Sequence, residues 1–586
     1  MKKISVALAI VVTCYFALSA PVFGSEDSDR TLASARKLVE ERSYAAALED
    51  YSKISDELRK DPGLVIEWAR VYTYADMHSE AIRLFEEVRT KYPERAQDIL
   101  KELGDQYKWN KNLSKSIETY EEVLRKDPGN ITAEIGLAEA LAWNDKHVEA
   151  IKRYDDVLKK DPNFVQALIA KAEVLSWMDK LEESQRLYKR VLNIDPGNLK
   201  ARLGEARVMV WGGYHRKAVA KYNAILRDHP DDAEAIEGLA YAYHWDGNEA
   251  KTLEVVKRVI AIAPGREAAR NLFIDVENAR SPYAVNYNWY WEDKNKLSVQ
   301  GTGQRMGMYP DALTMVEGIY EWRKSRQKSM GASKINVGGV GIKRKFSDQI
   351  EMNSYLYGSN FGHIDYSAFT TDTWLTIRPD DVWRFDLSYN RGTFDDVGSI
   401  YNKIIVNSGG ASFDFKPDRF FFASASFKRG LYSDGNTQNT VFVKAEYRLC
   451  QKPYMKAYYN YYYSGWGKIM NSGYFNPKKE DSHSGGGYIS FDLTDKLFVE
   501  GQGSGGYEYQ TPKAYHPTYF FGGSLNYRIS SNWTASLHGE TFRAFVDANS
   551  NGYSRQAVVF SVTYSMGAEA PELFRTTRPS RPVTGR

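Results

Sequence analysis

The sequence predicts a multi-domain chain: an all-α solenoid of paired helices followed by an antiparallel transmembrane β-barrel of about sixteen strands, with fourteen as the alternative. Three observations predict it. Prolines recur at a 34-residue step through the first half, alternation with period two replaces that step from Ser281 onward, and aromatic residues reach 14% of the chain. Their 41 Tyr, 26 Phe and 13 Trp suit interfaces where a ring lies in an apolar layer and its polar edge reaches water.

Residues 1–24 begin with Lys2 and Lys3, continue as an apolar run from Ile4 to Ala20, and place small residues at Ala20 and Gly24. This order predicts a secretory signal peptide. Its removal takes Cys14 and leaves Cys450, so neither a disulfide framework nor a cysteine metal site is expected.

Residues 25–280 carry the repeat. Prolines 62, 93, 128, 162, 196, 230 and 264 close its units, the last four intervals being 34 residues each. That period is the tetratricopeptide one, two antiparallel helices and a turn. Turn texts repeat as DPG at 61, 127 and 195 and DPN at 161, because proline ends one helix and presets the start of the next. Small residues at the closest helix contact fall at Gly104, Ala138, Ala172, Ala206 and Ala240, and aromatic knobs at Tyr120, Tyr154, Tyr188 and Tyr222. Six or seven repeats are expected, with Arg266–Arg280 as a closing helix. A ladder of Trp109, Trp143, Trp177, Trp211 and Trp245 ends the first helices. It predicts either an aromatic track in the groove, for a peptide or sugar rings, or a seal between successive repeats.

Residues 281–566 read as strands. Trp383, Phe385, Leu387 and Tyr389 alternate with Arg384, Asp386, Ser388 and Asn390, and a like partition recurs at 283–292, 421–428, 441–449 and 533–540. Turn texts FSDQ at 346, RPDD at 378, KPDR at 416, CQKP at 450, LTDK at 493 and ISSN at 529 fall every 30 to 45 residues. Each interval holds two strands and a longer loop such as 465–483, the pattern of an outer-membrane barrel. The apolar flank of each strand is then expected against lipid. The polar flank, including Arg384, Asp386, Lys444, Glu446, Arg448, Lys456, Asn460 and Glu540, is expected in the lumen. Residues 567–586, rich in Pro and Arg, are expected to be a disordered tail.

Secretion signal, repeats with turns such as WNDKHVEA at 143–150, and an aromatic-rich barrel together resemble the YaiO family of outer-membrane proteins. The arrangement is also similar to exporters of bacterial exopolysaccharides, in which a periplasmic repeat array joins a sixteen-stranded pore. The resemblance implies residence in the bacterial outer membrane with the repeats in the periplasm. A terminal aromatic residue, usual in such barrels, is replaced here by the tail after AVVFSVTYSM.

Composition excludes other classes. Residues 25–280 hold 41 Lys plus Arg against 47 Asp plus Glu, so no clustered basic stripe points to nucleic acid. Metal-ligand spacing, phosphate loops and nucleophile elbows are missing from the text, and GTGQRMG at 301 lacks a dinucleotide fingerprint's spacing. No cofactor and no enzymatic activity are expected; His538 and Glu540 read as a solvated pair rather than part of a triad. The expected partners are outer-membrane lipid, periplasmic proteins on the repeats, and a polysaccharide. Mixed charge in the lumen fits a neutral or weakly charged glycan. Two readings compete: a conduit for that polymer, or a closed anchor whose repeats recruit periplasmic partners. Surface reception through the long loops stays open as a third.

Overall fold

The computed structural model describes residues 25–54, 60–293, 297–328, 331–394, 397–470, 476–511, 515–530, 533–544 and 553–565. The expected signal peptide and C-terminal tail lie outside the described residues. The chain divides into two compact units, one up to Gly204 and one from Glu205.

Both units contain helix pairs of the repeat. In the first they run from α1 (Ser25–Glu40) and α2 (Tyr44–Lys53) through α3 (Pro62–Tyr74), α4 (His78–Lys91), α5 (Ala96–Trp109), α6 (Leu113–Lys126), α7 (Ile131–Trp143), α8 (His147–Lys160), α9 (Val165–Trp177) and α10 (Leu181–Ile194). The division between units falls inside α11 (Leu199–Trp211). The second unit continues with α12 (His215–Asp228), α13 (Ala233–Trp245), α14 (Glu249–Ile262) and the closing helix α15 (Glu267–Ala279).

The repeated residues act at three places. Asn130 and Asp232 accept hydrogen bonds from the backbone N–H of Ala133 and Ala235, capping α7 and α13. Between paired helices, Lys111, Asp145, Asp179, Gly213 and Gly247 all adopt positive φ. This left-handed step explains why the residue two places after each Trp is so often Asp or Gly. The tyrosine knobs fill the helix contact: Tyr120, Tyr154 and Tyr188 are fully buried. A Cβ added at Gly136 would fall 2.4 Å from the Tyr120 ring, and one at Gly204 would fall 2.3 Å from Tyr188.

Four residues after α15, the chain enters a closed antiparallel barrel of sixteen strands in sequential order. The first eight are β1 (Tyr283–Asp293), β2 (Leu297–Met308), β3 (Thr314–Gln327), β4 (Gly331–Lys345), β5 (Ile350–Phe361), β6 (Tyr366–Ile377), β7 (Trp383–Thr393) and β8 (Ile405–Phe415). They continue with β9 (Phe421–Tyr432), β10 (Thr437–Gln451), β11 (Tyr454–Trp466), β12 (Lys479–Thr494), β13 (Leu497–Gln510), β14 (Tyr515–Arg528), β15 (Trp533–Ala544) and β16 (Tyr553–Ser565). Closure is made by β1 against β16, in register from Tyr283 with Ser565 to Asp293 with Arg555.

Two sequence expectations need correction. The far ends of the strands were expected to carry long loops, but the strands themselves extend to 16 residues and consume most of that text. The 465–483 stretch shrinks to a connection between Trp466 and Lys479, and β5 joins β6 through four residues only. The second correction concerns β1, whose apolar flank was expected against lipid. Tyr283, Tyr287 and Trp289 turn inward instead, while Asn286, Asn288 and Tyr290 are exposed on the outer face. The reason lies in β2, where Gly301, Gly303 and Gly307 leave the inner wall bare: a Cβ at these positions would fall 2.2, 2.3 and 2.6 Å from Trp289, Tyr287 and Tyr283. The rings fill that space and shield the backbone.

Gly136→Ala is expected to lower stability by about 1–3 kcal/mol, because overpacking against Tyr120 outweighs the gain in helix propensity. Gly265→Ala, where an added methyl meets no atom within 4 Å, is expected to be near neutral. Chemical denaturation of the full chain followed by far-ultraviolet circular dichroism measures both.

Candidate functional site: the barrel interior and its repeat-bearing rim

Alternation along each strand assigns two faces. On β7, Trp383, Phe385, Leu387 and Tyr389 are exposed on the outside, so Arg384 and Asp386 point in; they form an ion pair at 3.0 Å, and Asp386 also accepts from the Thr376 hydroxyl at 2.5 Å. On β10, Tyr447 and Leu449 face out, which turns Lys444, Glu446 and Arg448 inward. Glu446 joins Lys444 at 2.5 Å and Lys456 of β11 at 3.0 Å. Asn460 follows Lys456 on the same face, opposite Lys444 in register. On β15 Glu540 lies inside, 3.3 Å from Arg555 and 3.5 Å from His538. The lumen residues singled out from sequence thus share the inner face, and most are bound into ion pairs. Paired charges of both signs line the interior with fixed dipoles without giving it one net sign.

The opposite wall differs. Along β1, Tyr283, Tyr287, Trp289 and Trp291 make one inward row; Tyr287 and Trp289 stack with centroids 5.5 Å apart. Across β2 to β4 a second row rises on β5, where Tyr355 and Tyr357 stack at 6.2 Å over the inner glycines Gly341 and Gly339, and Trp374 of β6 stacks on Tyr355 at 5.9 Å. Between the rows β3 presents two carboxylates. The Tyr283 hydroxyl donates to Glu317 and the Tyr287 hydroxyl to Glu321, each at 2.6 Å. Sequence reasoning missed this wall because the alternation alone does not say which flank faces in. The usable signal was the glycine spacing of GTGQRMG.

Between β7 and β8 lies a short helix, α16 (Val397–Tyr401). Ile400 packs on Ile335 and Val337 of β4, Phe361 of β5 and Ala368 of β6. Val397 packs on Leu297 and Val299 of β2 and on Trp291. All of these partners are inward-facing, so the loop lies inside the barrel against the far ends of β1 to β6. It narrows the interior there.

At the other end, within the second unit, the last repeats grip the strand turns. Arg216 at the start of α12 donates its backbone N–H to Asp381 at 2.9 Å, its Nε to Asp246 at 3.2 Å and its Nη2 to the Asp348 carbonyl at 2.7 Å; Nη1 reaches the Arg378 carbonyl. Asp348 accepts from Lys251 and Asn248, each at 2.7 Å. Burial raises the Asp348 carboxyl, but the Lys251 hydrogen bond and charge outweigh it and hold the group below its ordinary range. Tyr214 donates to the Pro417 carbonyl at 3.0 Å, and Arg280 donates to the carbonyls of Asp311 and Ala312. The turns after β2, β4, β6 and β8 are therefore all tied to α12–α15 or their adjoining loops. The repeat pattern ends at residue 280, and the compact units divide at Gly204, so the last repeats fall in the same unit as the barrel.

The tryptophan ladder is not uniform. Trp109 and Trp143 are 43% and 45% exposed, whereas Trp177, Trp211 and Trp245 are half-buried. Lys108, itself buried, holds its Nζ 5.8 Å from the Trp109 ring and 5.7 Å from the Trp143 ring while bonding to Glu139 at 2.6 Å.

Models of the tetratricopeptide repeat match residues 110–174 and 212–267. No curated protein matches the chain. Among solved structures, a bacterial polysaccharide outer membrane secretin is similar at 12% identity over 49% of this chain and 99% of that one, with a TM-score of 0.43. A tetratricopeptide repeat protein from Parabacteroides merdae is 18% identical over 37% of this chain and 85% of that one, TM-score 0.32. A repeat protein from Thermus thermophilus gives 18% over 31% and 99%, TM-score 0.29. The class defined by fold and interior is a tetratricopeptide-repeat scaffold joined to a closed sixteen-stranded β-barrel.

Arg216→Ala is expected to strand Asp246 and the carbonyls of Asp348 and Arg378 at the rim while the backbone bond to Asp381 survives, costing roughly 1–3 kcal/mol of local stability. Hydrogen exchange across residues 215–228 should accelerate while exchange in α7 stays unchanged. His244 in α13 supplies a pH handle. Burial pushes its pKa down to about 4. The unfolded chain then binds the proton first, so the stability present above about 6.5 is lost as pH falls toward about 4, by up to ~3 kcal/mol. Burial and the Lys416 charge bring His215 to about 4 with the same sign, while buried Asp246 and Glu249, whose pKa values are raised, oppose it at the acid end. His244→Phe is expected to flatten the fall in repeat stability between pH 7 and pH 5 relative to the parent chain.

Proposed function

We propose that the protein is an outer-membrane pore whose periplasmic repeats guide a neutral or weakly charged polysaccharide into the barrel and outward. The observation that carries this reading is the inversion of polarity across one closed sheet. Tyr320, Val340, Leu356, Phe369, Phe385, Leu387, Phe413, Phe427, Leu449, Phe521, Leu525, Leu537 and Phe560 are exposed around the outside. An apolar surface of that extent, spread over eleven of the sixteen strands, is stable against acyl chains and not in water. Closure leaves no unpaired edge for lipid to desolvate. Barrels of sixteen strands have room for an aqueous channel.

The rim contacts support the guiding role. By tying four turns to the last repeats, Tyr214, Arg216, Asn248, Lys251 and Arg280 fix those repeats at the mouth, so a chain held by them is delivered to the interior at high local concentration. Ion-paired lumen charges suit a cargo without strong charge, because a polyanion or polycation would meet repulsion at every pair. The reaction is passage, and no bond is made or broken.

A second reading is favoured by the exposed rings of Trp109 and Trp143, which suit the capture of a periplasmic protein by the first unit. The purified full chain in planar bilayers separates the two. The pore reading expects stepwise ion conductance, together with heat-modifiable mobility of protein taken from the outer-membrane fraction. Protein that fractionates with the outer membrane and never conducts leaves the anchored scaffold. Trp109→Ala with Trp143→Ala should then abolish co-purification of a specific periplasmic protein.

A further inference from the structure

The geometry points to the inner wall of β1 to β6 as a binding ledge for uncharged sugar rings, built from two aromatic rows with a column of carboxylates between them. This rests on the pore reading for its setting, and deepens it by naming the surface that the cargo touches.

The first row, Tyr283, Tyr287, Trp289 and Trp291, occupies alternate inward positions of β1 except Val285, and spans ~26 Å along the strand. It starts where the chain leaves the repeats and ends beneath Val397 of α16. The second row, on β5, likewise rises from the rim turn at Ser347–Asp348 and ends at Phe361 beneath Ile400. A polymer entering from the repeats meets these rings first and the narrowed segment last.

Ring orientation favours stacking. Glycines at 301, 303, 307, 339 and 341 lie directly against the rings, so that one side of each aromatic covers the wall. Tyr283, Tyr287, Trp289, Tyr355 and Tyr357 nevertheless remain partly exposed, and on an inward face that exposure is toward the lumen. Flat apolar faces flanked by hydrogen-bonding edges match the two faces of a pyranose, which is apolar above and below and hydroxylated around its rim.

Glu317 supplies an independent observation. It is 6% exposed, its Oε1 accepts from Tyr283, and its Oε2 is buried without a hydrogen bond of normal geometry among the described residues, although the Tyr355 hydroxyl stands near enough to interact with the carboxylate. A buried carboxylate oxygen in that state is costly and calls for a donor. It stands between Tyr283 and Tyr355, next to Gly307 and Gly341 in register, where a hydroxyl of a ring stacked on either tyrosine would supply the donor after a small shift of the covering side chain. Arg305, 5.9 Å from the Tyr287 ring, and Arg323, bound to Glu321 at 2.6 Å, balance the charge of the column.

The test is calorimetric titration of the full-length protein in detergent micelles with maltohexaose and cellohexaose, and with a hexameric polyuronate as the charged contrast. At least one neutral hexamer is expected to bind, and more tightly than the polyuronate. Tyr287→Ala and Tyr355→Ala should each weaken that binding by about fivefold or more, while Trp383→Ala on the outer face should leave it unchanged. Because removing a ring from the glycine bed can loosen the wall, Glu317→Gln is the second variant: nearly isosteric, it should keep heat-modifiable mobility and still weaken binding. Failure of both neutral hexamers to bind, preference for the polyuronate, or binding unchanged in folded ring and Glu317 variants overturns the proposal. Conductance is read separately. A chain that conducts without binding sugar refutes the ledge alone, and one that binds without conducting refutes the conduit alone.

Discussion

The pairing of β1 with β16 is the interaction on which everything else in the barrel depends. Until that ladder forms, the sheet has two open edges, and in lipid each unpaired N–H or carbonyl costs several kcal/mol. Once it forms, alternation leaves each residue only two places to go, inside or outside. Closure also places the aromatic row of β1 on the seam itself. Trp291 then meets Arg555 of β16 at 4.8 Å, so the ring row and the closing ladder stabilise one another.

A few polar side chains couple the last repeats to the barrel. Arg216 is the centre of this joint, serving a carboxylate on its own side, Asp246, and backbone and carboxylate acceptors on two turns. Such a joint is directional: hydrogen bonds fix angle as well as distance, and a shift of about an ångström breaks them. Its charges are partly buried, which makes each one sensitive to loss of its partner. His215 and His244, held neutral by burial, sit in the same helices, so acidification acts on this joint.

Inside the barrel, two walls of different chemistry face a common space. Strands β7, β10, β11 and β15 contribute ion pairs, whereas β1, β5 and β6 contribute rings. The inserted α16 loop rests on the aromatic side and uses the far ends of those same rows as its apolar support. Buried Val397 and Ile400 anchor it through side-chain packing, the kind of contact that holds a short helix too brief to be stable alone.

Several features were legible in the residues alone because they are local. A 34-residue period, the Asp-Pro turns and the recurrent tyrosine knobs specify helix hairpins wherever the chain lies, and period two with recurrent turn texts specifies meandering strands. Polarity then assigned Arg384, Asp386, Lys444 and Glu446 to one flank, since their neighbours Trp383, Phe385, Val443 and Ala445 are apolar. On β1 the same rule failed. Asn286 and Asn288 look like a lumen flank and Tyr287 and Trp289 like a lipid flank, but the glycines of β2 admit rings only on the inner wall, and that fit exists only when two strands are paired. The grip of Arg216 on turns more than 130 residues away, and the packing of Val397 under Trp291, belong to the same category. Sequence by itself determined what each segment could be, through local conformational preference; tertiary structure alone decided which side of the sheet was the interior and what the repeats held, because both depend on contacts between residues that no short-range pattern brings together.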